Sequence, residues 1–290
     1  MRILSLLLVA FVVLGIDSGI NAQTYTHTVY YDDGSVKEEY SLTGADSVRN
    51  GPYRYYYPGG VLGQQLQYTD GKIDGQVTIY QQNGKKSVVC NYDMGLRHGL
   101  MKIYDEDGDI KEAVTFFYDK VFGPYYKYYK TGEMSFAVNR IGDFWEETAI
   151  LFYQTGHPKA VLFYKHGKKN GSATYFFPDG TTRMNESNYV DDVRTGPYKA
   201  YYSNGNLAET GQYKDGNRDG YWVSFYPDGV TVYTTGYYVD NNFDGLWRIY
   251  NPDGTLKQES VFQNSYEHGC IRYGYGQQVP YFMGSPLIER

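Results

Sequence analysis

Apolar and polar positions along this chain recur about every 24 residues, and the stretch YKDGNRDGYWVSFYPDG, Tyr213 to Gly229, states the pattern most fully. Taking Gly220 as the reference, the matching positions are Gly51, Gly75, Gly99, Gly123, Glu147, Gly171, Gly196 and Gly245, at intervals of 24 or 25 residues. Glu147 is the one departure. Two residues after the reference comes a column led by Tyr53, Tyr125, Tyr198, Trp222 and Trp247, and five residues after it a wholly aromatic column runs from Tyr56 to Tyr250. Nine residues after it comes a second glycine in every copy, from Gly60 to Gly254. Seven residues before the next reference lies a third column, Tyr68, Tyr92, Phe116, Arg140, Tyr164, Tyr189, Tyr213, Tyr238 and Phe262, broken by Arg140.

Short runs rich in Tyr, Trp, Ile and Val and bounded by glycine predict strands rather than helices. Dipeptides such as Asn83-Gly84, Asp107-Gly108 and Asp228-Gly229 predict hairpin turns, because glycine takes a positive φ without a steric penalty. Each repeat then reads as one hairpin that cannot bury its own face, closed by a polar loop such as 214–219. Stacking such hairpins predicts an all-β fold: an elongated, single-layer antiparallel β-hairpin solenoid of about nine 24-residue repeats. Eighteen strands at about 4.8 Å each would extend roughly 85 Å.

The unit Y-x-x-G-x-x-x-G-x-W-x-x-Y/F-x-x-x-G, seen in YKDGNRDGYWVSFYPDG and again in YYVDNNFDGLWRIYNPDG from Tyr237 to Gly254, resembles the variant MORN repeat over about Arg49 to Phe262. The resemblance implies a β-hairpin solenoid used as a scaffold. Many bacterial proteins with such repeats are similar to chains catalogued as antitoxins of toxin–antitoxin pairs, and classical members are linked to membrane or phosphoinositide binding. No residue motif carries either role onto this sequence.

Residues 1–22 read as a secretory signal peptide: Arg2 gives the positive end, Ile3 to Ile16 the apolar run, and Ile20-Asn21-Ala22 a cleavage site. The expected location is therefore outside the cytoplasm of a bacterial cell, whether periplasmic, outer-surface or secreted, with the mature chain starting at Gln23. Residues 23–48 read as a capping hairpin out of phase with the rest, 49–262 as the nine repeats, and 263–290 as a C-terminal cap or tail.

Composition narrows the function. Tyrosine supplies 35 of the 290 residues, which suits a sheet whose faces are only partly covered, because the ring is buried while the hydroxyl stays wet. The formal net charge of -6 argues against nucleic acid and against capture by anionic membranes. Cys90 and Cys270 lie more than seven repeats apart, so no intramolecular disulfide is expected. Five scattered histidines and one turn carboxylate per repeat do not make a zinc or calcium site, and no glycine run leads into a helix that could cradle a phosphate. Glu146 and Glu147 are adjacent on a strand and point to opposite faces, which makes them a poor acid–base pair. The expectation is a non-enzymatic scaffold without cofactor or metal, which binds a protein, or alternatively an envelope glycan or a toxin. The candidate binding residues are Arg140 and Trp145, in the divergent fifth repeat, and Trp222 and Trp247, whose rings could stack on sugars. Arg140 and Trp145 have a second reading, as a drifted repeat that only bends the sheet.

Overall fold

The computed structural model describes residues 24–44, 46–274 and 277–282. The expected signal peptide, and the tail beyond residue 282, lie outside the described residues. Within them, 24 strand segments from Thr24–Tyr30 to Gln277–Phe282 form one antiparallel sheet, in which each strand pairs with the one before and the one after it in sequence. Lys72–Ile73 and Gly75–Tyr80 are two pieces of one strand position, both pairing with Leu62–Thr69, and Leu96–Arg97 and Gly99–Tyr104 pair likewise with Lys86–Asp93. The all-β hairpin solenoid read from the 24-residue period is the observed fold.

Both glycine columns have a conformational cause. Gly60, Gly84, Gly108, Gly132, Gly156, Gly180, Gly205, Gly229 and Gly254 all have positive φ, as do the reference residues, including Glu147 at φ 63°. The reference residue sits in a bulge: Gln212 pairs with Asp219 and Thr210 with Val223, so Gly211 alone faces three residues, 220–222. The bulge recurs at Glu147, between the pairs Asn139–Glu146 and Ala137–Ile150. The departure at Glu147 therefore changes the residue but keeps the backbone, with Asn139 Nδ2 donating to its carboxylate at 2.8 Å. A non-glycine residue in this region is strained.

Successive repeats are tied together at both ends of the strands. At the loop end the polar segment is a two-residue turn with both φ angles positive, as at Asp215-Gly216 and Asp240-Asn241. The second turn residue donates its N–H to a carbonyl in the preceding repeat, as in Gly216 to Arg194, Asn241 to Arg218 and Ser265 to Phe243. At the hairpin end a tyrosine hydroxyl donates to a carbonyl of the next repeat: Tyr57 to Tyr80, Tyr129 to Phe152, Tyr153 to Phe176, Tyr202 to Phe225 and Tyr226 to Tyr250, at 2.7–2.9 Å. Gln81 makes the corresponding bond to the Asp105 carbonyl. The capping hairpin belongs to the same sheet, and Tyr31 latches it to the Tyr56 carbonyl at 2.7 Å. Its phase differs because six residues separate the paired Leu42 and Arg49, where four separate Tyr213 and Arg218.

A single-layer sheet has no second layer to cover its apolar face, so the side chains on that face must cover one another. We call it face one. Directly paired positions along it include Tyr53–Leu66, Val77–Cys90, Tyr125–Val138, Ala149–Leu162 and Trp222–Gly236. Large residues meet small ones, and Val77, Cys90, Val138, Ala149, Leu162 and Trp222 are all buried. The closest fit is where the Trp222 indole lies on the backbone of Gly211 and the Trp247 indole on that of Gly236. A Cβ added to either glycine would fall 2.1 Å from the indole. Gly236→Ala is thus expected to destabilise the fold by about 1–3 kcal/mol through overpacking, read as a lower denaturant midpoint at unchanged slope. An unchanged midpoint would mean that the indole does not lie there.

Both cysteines are unpaired and buried, and burial pushes the Cys90 thiol above its ordinary pKa. Less thiolate forms at a given pH. In the native protein at pH 8, an aromatic disulfide reagent should react with neither thiol within minutes, and with both after denaturation. Rapid native reaction at Cys90 would contradict its burial.

Candidate functional site

The position two residues before the reference lies directly across the strand pair from the third aromatic column in every repeat but the first, where Arg49 pairs with Leu42. It is occupied by Arg49, Arg97, Arg194 and Arg218 in four repeats, so a guanidinium rests against rings. Arg194 lies 4.8 Å from the centre of the Tyr213 ring and 5.6 Å from those of Tyr189 and Tyr198. Arg218 lies 4.2 Å from Trp222 and 5.3 Å from Tyr238, and it forms a two-pronged pair with Glu209 at 2.9 Å on each prong. Burial alone would raise the Tyr189 phenol, but the Arg194 bonds at 3.0 and 3.2 Å, together with the charge of Lys169, hold it below the ordinary tyrosine value. The Tyr125 phenol moves the other way, raised by burial and by its 2.6 Å bond to Glu112.

This pairing explains the fifth repeat. Arg140 stands in the aromatic column and Trp145 in the arginine column, and the two are directly paired. The ring and the cation have exchanged strands. Arg140 lies 5.3 Å from the Tyr125 ring, its side chain is 21% exposed, and its Nε is buried without a partner. Trp145 packs on Phe136 at 5.0 Å and Tyr164 at 5.3 Å, against the buried cluster that runs from Val114 to Tyr189. The structure brings these two candidates together, as part of the face-one packing.

Trp222 and Trp247 also lie on face one. Trp222 is 2% exposed, so its ring is not presented to solvent and the expected stacking platform is absent there; the small Gly211 lets the indole sink to the backbone. Trp247 is half-buried, and its Nε1 donates to the Tyr237 carbonyl at 3.0 Å. It borders a cavity of about 270 Å³ with Tyr238, Phe243 and Phe262 as aromatic walls and Thr234, Gln258 and Ser260 supplying polar atoms. Gln258 Nε2 donates to Ser260 Oγ at 2.8 Å within it.

The residues that sequence reading missed lie on the opposite face, face two. Phe117, Tyr118, Phe122, Ile141 and Phe144 are each between 44% and 55% exposed. Phe122 pairs directly with Ile141 and Ile141 with Phe144, and the Phe117 ring lies 6.5 Å from that of Phe122. Tyr118 packs on Phe117 at 4.9 Å, and its hydroxyl donates to Asp93 at 3.1 Å. The available signal was a break in alternation: Phe116-Phe117, Val121-Phe122 and Phe144-Trp145 each place two apolar residues side by side, so one of each pair must face away from the packed side. Among the described residues, no three His, Cys, Asp or Glu side chains converge as metal ligands would.

Three segments of the chain, residues 97–117, 194–215 and 243–264, match the family model described as a MORN repeat variant. Each begins at the position two residues before the reference and ends in the next hairpin, so all three fall in the phase described above. No curated protein matches the chain. Among solved structures, the chain is similar to one titled TcdB2-TccC3-Cdc42 at 13% identity and a TM-score of 0.21, covering 90% of this chain and 16% of that one. It is similar also to TcdB2-TccC3 without its hypervariable C-terminal region, at 13% identity and a TM-score of 0.20, covering 91% of this chain. The chain spans 16% of the length of each of these.

If Arg140 and Trp145 are an exchanged ring–cation pair, restoring the usual order should be tolerated. The double variant Arg140→Tyr/Trp145→Arg is expected to melt within a few degrees of the parent, whereas Trp145→Ala alone should cost about 2–3 kcal/mol through lost packing. A double variant that fails to fold while Trp145→Ala melts normally would overturn the exchange.

Proposed function

We propose that the protein is an exported, non-enzymatic repeat scaffold that mediates protein–protein interaction. The observation that carries the reading is the division of labour between the two faces. Face one is used up in packing the sheet, while face two displays large apolar side chains that the fold itself does not need. Repeats of the MORN kind commonly mediate protein or membrane interactions, and a sheet tied at the loop end at every repeat, and at the hairpin end at most of them, is a rigid support for such contacts. Export rests on the charged, apolar and cleavage-site pattern of Met1 to Ala22. A second reading, an envelope glycan binder, is favoured by the aromatic-walled cavity at Trp247 with its polar Gln258, Ser260 and Thr234. It needs Trp247 but not Trp222.

Fractionation of cells expressing the full chain, with in-cell crosslinking and amino-terminal sequencing, tests the scaffold. The expected result is protein outside the cytoplasm starting at Gln23 and crosslinked to a second polypeptide. Cytoplasmic protein starting at Met1 would contradict export and move the search to an intracellular partner such as a toxin. Glycan-array binding lost in Trp247→Ala would favour the second reading instead.

A further inference from the structure

We infer that the row Phe117–Phe122–Ile141–Phe144 on face two is a docking surface for an acidic, apolar segment of a partner protein. This rests on the scaffold reading and names the surface and the partner chemistry. The row crosses four adjacent strands, about 14 Å at 4.8 Å per step, and its members are half exposed. Exposed apolar side chains grouped in this way cost solubility, whereas single ones are ordinary. The row is not a consequence of the repeat. At the position of Phe122 the other repeats carry Asn50, Asp74, His98, Glu146, Asn170, Thr195, Asp219 and Asp244; at that of Phe117 and Ile141 they carry Thr69, Asp93, Lys165, Val190, Lys214 and Val239, and at that of Phe144 apolar residues such as Leu96 and Val193 alternate with Lys72, Lys168 and Asn217. Elsewhere the apolar residues at these positions stand singly or in pairs such as Val190–Val193; Phe122, at a position polar in every other repeat, joins four of them into one row.

Charge and shape choose the occupant. Lys120 lies directly across from Phe117 at one end of the row, and Lys165 and Lys168 lie directly across from each other just past Phe144 at the other. All three are exposed and make no ion pair among the described residues. Two like charges opposite one another destabilise a strand pair, and carboxylates of a bound partner would relieve them. The nearby acids are engaged elsewhere: Asp93 accepts from Tyr118, Asp119 pairs with Arg97 at 2.8 Å, Asp143 pairs with Arg140 at 3.8 Å, and Glu146 accepts the His166 N–H at 2.8 Å. The row is also one side chain wide, since the next positions on the same face are Thr115, Pro124, Asn139 and Glu146. A line of apolar side chains with cations at both ends fits an extended segment of alternating apolar and acidic residues better than a broad, flat bilayer.

The probe is a fluorescein-labelled peptide of alternating leucine and glutamate, with alternating leucine and lysine as its control, titrated into the full-length protein and followed by anisotropy. The expected result is saturable binding of the acidic peptide alone, weakened by salt, and weakened about tenfold or more in Phe122→Ser/Phe144→Ser. The pair Lys165→Glu/Lys168→Glu should transfer preference to the basic peptide. These are exposed positions, so thermal melts of both variants should match the parent and separate lost docking from lost folding. Equal binding by parent and variants, or none by the parent, overturns the surface while leaving the scaffold reading to the crosslinking experiment. Concentration-dependent dimerisation abolished by Phe122→Ser/Phe144→Ser overturns it in favour of a second copy, and flotation with phosphatidylserine vesicles abolished by the same variant overturns it in favour of a membrane.

Discussion

Everything in this molecule follows from the need of a one-layer sheet to bury an apolar face with nothing laid over it. The answer is lateral. A ring on one strand lies across the backbone of its neighbour, and the neighbour is small enough to admit it: Trp222 on Gly211, Trp247 on Gly236. Where the ring is missing, as at Ala149 and Ala173, Leu162 between them restores the volume. Guanidinium groups then close the open side of the rings, as Arg218 does over Trp222. Each side chain is buried by its sequence neighbours alone, which is why the buried residues form a line along the sheet rather than a central core.

Length and stiffness come from the same repetition. Turn N–H groups at one end of the strands and, in most repeats, tyrosine hydroxyls at the other each reach one repeat along, so most hairpins are anchored at both ends to a neighbour. With the backbone held in this way, the outward face is free to vary. Phe122 can replace the polar residue of the other repeats without disturbing the packing beneath, because alternation along the strand places it on the other side.

The period, the glycine columns and the hairpin order were legible in the sequence because backbone conformation demands them: a position that must adopt positive φ selects glycine in copy after copy, and spacing alone reveals it. The tyrosine latch was less legible, since Tyr57, Tyr129 and Tyr202 adjoin an aromatic column and their hydroxyl partners are carbonyls, which leave no mark on composition. The exchange of Arg140 and Trp145 looked like two separate breaks, and only the strand register shows them to be one pair. Trp222 looked like a surface candidate because tryptophan is common at binding sites, whereas the glycine that admits its ring, Gly211, lies eleven residues before it on the neighbouring strand.

The central claim, that each strand is protected by the side chains of its immediate neighbours, is tested most directly by hydrogen exchange followed by mass spectrometry along the native chain. Protection should be strongest in the strands around the buried cluster and around Trp222, such as Phe144–Phe152 and Asn217–Phe225, and should fall toward Thr24–Tyr30. Equal protection in every strand, with all amides exchanging in one global opening, would contradict it.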